Sequence, residues 1–196
     1  MGKLIVFDFD GTLSSSDTNF EFWKFAMRRS VRPYFFLPLT IFGMLIKPLN
    51  KNGAFWREIS RLWISVPLLK KLRNDFIKEH LKKRFGWAAE QVRAEKAKRN
   101  IVICISASPD YFVRELVGDM GFDLVLCSIT DKKKPWKYKF LCYGENKLAA
   151  LNLAIKKNYE IARAYSDNKS DLPIMKLAND KVWINPQTGC RINQNA

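Results

Sequence analysis

Histidine is almost missing from this chain: its 196 residues hold one, His80, against 34 Lys and Arg. That excludes a multi-histidine metal site and leaves no spare ligand beside any Ser-His pair. Cysteine is sparse as well. Cys104, Cys127, Cys142 and Cys190 lack short metal-type spacings, and the first two sit in apolar runs. They are expected as reduced thiols in a cytosolic chain. No uncharged stretch reaches the ~20 residues of a bilayer-spanning helix. Met1-Gly2-Lys3 leads straight into an apolar segment, which leaves no room for a secretory signal peptide. Acids are scarce too: 19 Asp and Glu give a net charge of +15, which favours an anionic partner. An apolar fraction of 47% and a charged fraction of 27% exclude disorder and fibrous repeats.

What is present is a series of short apolar runs. Lys3–Asp8, Ile101–Ser106, Asp123–Cys127, Ile161–Tyr165 and Lys181–Ile184 show little polar alternation, as strands buried on both faces of a parallel sheet do. Helical segments alternate with them. Ser108 and Pro109 read as an N-cap and first-turn proline, with Gly121 as that helix's stop. A second helix is expected from about Glu145 to Lys157, with Leu148, Leu151 and Ile155 on one stripe. Cys127–Tyr143, with a turn at Lys132–Pro135, reads as a small β-hairpin. The expected fold is α/β, a Rossmann-like doubly wound parallel sheet. Its core comprises residues 1–17 and 91–196, and residues 18–90 form an inserted helical cap. In that insertion Trp56, Ile59 and Trp63 fall at helical spacing, and Leu68–Arg84 reads as an amphipathic helix.

Asp8-Phe9-Asp10-Gly11-Thr12 follows the first strand directly, at the sheet edge where ligands bind in such folds. Two carboxylates there repel unless a cation sits between them. Oxygen-only ligands of this kind suit Mg²⁺. Ser106 closes the second strand beside a helix start, a place suited to phosphate. Lys147 opens a helix after Gly144, and Asp167 and Asp171 follow the Ile161–Tyr165 strand.

This order of motifs resembles the haloacid dehalogenase (HAD) superfamily of phosphohydrolases, specifically its subfamily IB, the phosphoserine-phosphatase-like branch with a helical cap. Asp8, Asp10, Gly11 and Thr12 match the first motif, Ser106 the second, Lys147 the third, and Asp167 and Asp171 the fourth, where Ser166 replaces the usual glycine. The resemblance implies a Mg²⁺-dependent phosphomonoester hydrolase working through an aspartyl-phosphate. Asp8 is then the nucleophile and Asp10 the general acid and base. Gly11, Thr12, Ser106 and Lys147 hold phosphate. Asp8, the Asp10 carbonyl and Asp167 take the metal, with Asp171 a ligand or support.

Substrate choice then falls to the insertion, where residues 18–90 carry 15 cations against 5 acids. Residues 33–46 carry no charge and are flanked by Arg28, Arg29, Arg32, Lys47 and Lys51. They form either a buried helical hairpin or an interfacial segment in peripheral contact with an anionic membrane, on its inner face. Asp17-Thr18 and the Cys142–Lys147 segment resemble phosphatidylglycerophosphatase-like members, which implies a lipid phosphate. Phosphoserine or another small metabolite is the runner-up, with Asp17 or Glu21 for the amine and no arginine placed for the carboxylate. His80 receives no role. A basic nucleic-acid-binding module is the non-enzymatic alternative, and it lacks any recognised motif.

Overall fold

The computed structural model describes residues 3–49, 53–155 and 159–192. Seven strands form one sheet: β1 Leu4–Phe7, β2 Ile101–Pro109, β3 Leu124–Thr130, β4 Tyr138–Phe140, β5 Ile161–Ser166, β6 Ala178–Ile184 and β7 Arg191–Ile192. Their spatial order is β4-β3-β2-β1-β5-β6-β7. The five central strands are parallel, and β4 and β7 close the two edges antiparallel. Alternate residues of β1 point to opposite faces: Ile5 and Phe7 join one core cluster, Leu4 and Val6 the other. Burial on both sides explains why the strands are nearly all apolar.

The helices are α1 Thr18–Met27, α2 Arg32–Phe35, α3 Leu37–Leu45, α4 Phe55–Ile59, α5 Val66–Leu81, α6 Ala88–Ala97, α7 Asp110–Leu116, α8 Glu145–Ala154 and α9 Leu172–Met175. Ser65 caps α5 by accepting from the Leu68 N–H, and Pro67 occupies its first turn. Among the described residues six of these helices, α1 to α6, lie between β1 and β2. The chain leaves and re-enters the sheet through paired backbone, with Phe85 N–H donating to Leu13 O and Ser15 N–H to Lys83 O. The boundary expected at residue 90 falls inside α6, which contributes Ala88 and Val92 to the core beside the sheet.

Several local expectations are corrected. Ser108 caps no helix, because β2 continues through Pro109 and α7 begins at Asp110. Gly121 does not stop α7, which ends at Leu116; with φ of 85° it turns the chain toward β3. Trp63 lies beyond the end of α4, so Trp56, Ile59 and Trp63 share no single helix. The helix α8 ends at Ala154, and the expected extension to Lys157 runs past Ile155 out of the described residues. The hairpin exists, with β3 itself as one arm.

An aromatic seam joins the inserted helices to the sheet domain. The Phe76 ring of α5 lies 5.1 Å from Phe22 and 5.5 Å from Phe25 of α1, and 4.8 Å from Phe112 of α7. All four are fully buried in edge-on or tilted contact, the favoured aromatic geometry. Phe76→Ala is therefore expected to lower the unfolding free energy by about 3–5 kcal/mol, read from urea denaturation.

His80 sits at the end of this seam, its ring 5.1 Å from Phe76. Burial pulls its imidazole down to about 4, a loss that Glu21 only partly offsets. The folded protein therefore keeps His80 neutral where the unfolded chain, titrating near the ordinary value, binds the proton. Stability from neutral His80 is present above pH ~6.5 and is lost as pH falls toward 4, by up to about 3 kcal/mol. His80→Gln should remove that slope. The check is the difference in urea unfolding free energy between wild type and variant across pH 4–7, which cancels the opposing contribution of the carboxylates.

Candidate active site

The order β2-β1-β5 places three strand ends side by side, and each delivers chemistry to the same edge. From β1 come Asp8 and Asp10, from β2 Ser106 and Ser108, from β5 Asp167 and Asp171. The chain moves outward from β1 in both directions, so this edge is the topological switch point where α/β folds bind ligands. Lys147 reaches it from the first turn of α8.

Lys147 is buried, and its Nζ lies 2.7 Å from both Asp8 Oδ1 and Asp171 Oδ1. Burial lowers its proton affinity, but the charges of Asp171 and Asp8 more than reverse this and hold the ammonium well above the ordinary lysine range. Burial also drives Asp8 well above the carboxylate range; Lys147 opposes that, and Asp171 and Asp167 add to it. Among the described residues no donor reaches Asp8 Oδ2, so one oxygen is anchored and the other is left for a ligand.

Asp10 is held differently. Its Oδ1 accepts from the Thr18 N–H at 2.8 Å and the Thr18 hydroxyl at 2.5 Å, and its Oδ2 accepts from Ser108 Oγ at 2.6 Å. Burial, with Asp17 adding, pushes Asp10 up to about 6, against the lowering effect of those hydroxyls. An acid poised there exchanges protons near neutral pH, whereas Asp8 is pinned by an ammonium. Behind Thr18 stands His80, with Nε2 at 3.3 Å from the Thr18 hydroxyl.

Gly11 has φ of 75°, and a Cβ added there would lie 2.2 Å from Asp167 Oδ2. Only glycine lets the β1 loop pass so close to that carboxylate. Thr12 then stitches the loops together, donating to Asp167 Oδ1 at 3.2 Å and accepting from the Asp167 N–H at 3.0 Å. Ser166, in the place of the motif glycine, donates to Asp171 Oδ2 at 2.7 Å.

A cavity of about 710 Å³ opens over this edge. Asp8, Asp10, Gly11, Lys147 and Asp167 line it, whereas Thr12, Ser106 and Asp171 sit behind them. Ser106 Oγ accepts from the Ser108 N–H at 3.0 Å and is only 3.5 Å from Asp10 Oδ2. Asp17 lines the cavity while capping α1, but Glu21 is drawn away to Lys24 and Lys83.

The outer wall belongs to the insertion, and one of its residues escaped the sequence reading. Arg61 is buried, donates to Tyr111 Oη at 2.6 Å and Pro135 O at 3.0 Å, and lies over the Tyr138 ring. Among the described residues its Nε and Nη1 have no hydrogen-bond partner, and the residue borders the cavity. Buried unpaired N–H groups on a cation are a ready receptor for an anionic oxygen. Ser108 and Thr18 were likewise unassigned, since a hydroxyl's partner depends on which loops the sheet order brings together.

The donor set fits a hard cation. It is all oxygen, and of its four carboxylates Lys147 pairs with two, Asp8 and Asp171. Desolvation and mutual repulsion raise Asp8 and Asp167. Among the described residues no group of three or more His, Cys, Asp or Glu side chains converges closely enough to enclose a metal ion.

Comparison with known proteins agrees with this geometry. Residues 5–176 match the family model for haloacid dehalogenase-like hydrolases. A probable phosphatase of Mycobacterium tuberculosis is 30% identical over 113 residues, 55% of this chain and 39% of that protein. The chain thus spans about two fifths of the length of the curated relatives it matches. Among solved structures, a Bordetella pertussis protein of unknown function superposes with a TM-score of 0.78 at 16% identity, covering 96% of this chain and 93% of that one. A phosphoserine phosphatase in apo form gives 0.64 at 20% identity, covering 92% and 85%. A phospho-aspartyl intermediate analogue of phosphoserine phosphatase gives 0.60 at 23%, covering 94% and 87%. These likenesses show a shared fold. With the family model spanning most of its length and the motif acids gathered at one sheet edge, the chain belongs to the haloacid dehalogenase-like hydrolases.

Proposed function

We propose that this protein is a Mg²⁺-dependent phosphomonoester hydrolase that works through an aspartyl-phosphate on Asp8. The observation that carries this reading is the unequal holding of two acids two residues apart: Asp8 tied to an ammonium, Asp10 to two hydroxyls and an amide. In the first half-reaction Asp8 attacks phosphorus, the ester bond breaks, and Asp10 gives its proton to the leaving oxygen. In the second, Asp10 takes a proton from water, whose oxygen attacks phosphorus, freeing inorganic phosphate and regenerating Asp8. Lys147 orients Asp8 and offers an ammonium to the phosphoryl oxygens. Asp8, the Asp10 carbonyl and Asp167 would hold Mg²⁺, which would supply charge to offset repulsion between Asp8 and the phosphate. The inserted helices of residues 18–90, α1 to α5, act as the cap that chooses the substrate.

For the substrate we favour a phosphomonoester bearing a second anionic group, because Arg61, a buried cation, borders the cavity. A lipid phosphate such as phosphatidylglycerophosphate supplies that group as a phosphodiester, and phosphoserine supplies it as a carboxylate. The aromatic wall of Phe20, Trp23 and Trp56 favours the lipid. Relative kcat/KM on the two substrates decides between them.

Hydrolysis of nitrophenyl phosphate should vanish with chelator and return with Mg²⁺; equal turnover in chelator overturns the metal assignment. Asp8→Asn should abolish turnover and leave no trapped phosphoenzyme. Asp10→Asn should cost about 10²–10⁴-fold on an alkyl phosphate. Its cost on the aryl ester should be much smaller in the phosphorylation step, since nitrophenolate leaves without a proton. Equal losses on both esters, in single-turnover phosphorylation, would remove Asp10 from the acid role.

A further inference from the structure

Helix α3 is turned inside out. A helix on the surface of a water-soluble fold buries its large apolar side chains and exposes its small or polar ones. Here Thr40 and Gly43 face the protein. The Thr40 hydroxyl donates to Phe36 O at 3.1 Å and lies 3.2 Å from Ser60 O. A Cβ on Gly43 would meet Trp56 O at 2.7 Å, so the close packing of α3 on α4 depends on that glycine. The outer side carries Leu39, Ile41, Phe42 and Leu45, and the neighbouring turns add Phe35, 80% exposed, and Leu49, 85% exposed. An exposed apolar surface this continuous marks a site that something else covers.

The charge around it identifies the cover. Between Glu21 and Glu58 the chain has no acid and seven Lys and Arg, of which Lys24 pairs with Glu21 and Arg28 and Arg29 pair with Glu79. Arg32 and Lys47, at either end of the apolar segment, have no acidic partner among the described residues: Arg32 donates to Trp63 O, and Lys47 lies over the Trp56 ring. A second copy of the chain, docking by the same face, would bring these cations against one another. A surface that is apolar inside and anionic at its rim satisfies both features, and that is an anionic phospholipid bilayer. Helix α3 has nine residues, about 14 Å by the rise of an α-helix. No described helix is long and apolar enough to cross a membrane, so the contact is interfacial.

We infer that the outer face of α2 and α3, with its cationic ends, is a docking surface for anionic membrane. Met44 and Lys47 belong both to this segment and to the wall of the catalytic cavity, so a docked protein holds the mouth of its site at the lipid headgroups. That second consequence rests on the phosphatase reading; the docking itself does not.

The test is co-sedimentation of the full chain with phosphatidylcholine vesicles, with and without about one third phosphatidylglycerol. Binding should require the anionic lipid and fall as salt rises from about 0.1 M to about 1 M, where the screening length drops from ~10 Å to ~3 Å. Phe35→Ser and Leu45→Ser change side chains already in water, so melting temperatures should hold while affinity drops about tenfold or more each. Failure to bind anionic vesicles, or binding untouched by both substitutions, overturns the proposal. So does a wild-type oligomer in solution that these substitutions convert to monomer, since that assigns the face to a protein partner. Hydrolysis of nitrophenyl phosphate without vesicles is measured in parallel. Binding without hydrolysis would leave the docking surface standing and bring down the phosphatase reading, and hydrolysis without binding would do the reverse.

Discussion

Everything at the active edge depends on the buried ammonium of Lys147 between Asp8 and Asp171. Three desolvated charges in a row are costly by themselves, and attraction at 2.7 Å on both sides offsets that cost only while the geometry holds. The triad therefore fixes three loops at once: the end of β1, the start of α8 and the segment after β5. It also gives Asp8 one occupied oxygen and one open one, which a lone aspartate in solution lacks. Ser166 completes the arrangement from below by donating to the second oxygen of Asp171. The glycine usual at that position could not provide this bond.

Asp10 shows how the same edge creates a second kind of acid. Its partners are hydroxyls and an amide, which share a proton without matching its charge. Thr18 comes from the first turn of the inserted α1, and Ser108 from the far end of β2. The carboxylate is thus clamped between the sheet and the inserted helices, and so the placement of those helices bears directly on the acid. The Phe22–Phe76–Phe112 seam, which joins α1 and α5 to α7, holds that placement mechanically.

The insertion has two faces with different demands. Inward it presents Arg61 and aromatic side chains to the cavity. Outward it presents aliphatic and aromatic side chains to the surroundings. Residues 33–46, open in the sequence between a buried hairpin and an interfacial segment, are in the structure neither buried nor detached. Thr40 and Gly43 anchor them, and most of their larger side chains point out.

The sequence alone determined the sheet and the chemistry that follows each strand. Apolar runs without alternation report burial on both faces, and a carboxylate or hydroxyl at the end of such a run must lie at one edge of a parallel sheet. Asp8, Asp10 and Asp167 were legible for that reason, whereas Lys147, in the first turn of a helix, was legible only through its place in the order of motifs. Ser108 was misread because Ser-Pro is a local helix-start signal, and the pairing of β2 with β3 as far as Pro109 overrode it. The antiparallel edge strand β7 has only two residues, too few to carry a pattern. Arg61 and His80 gave no signal, since one arginine among many cations and one histidine on a helix look like surface until packing encloses them. Strand periodicity is local and therefore written in the chain. The partners of Asp10, the burial of Arg61 beside the cavity and the outward face of α3 arise between segments distant in sequence, and only the tertiary structure brings those segments together.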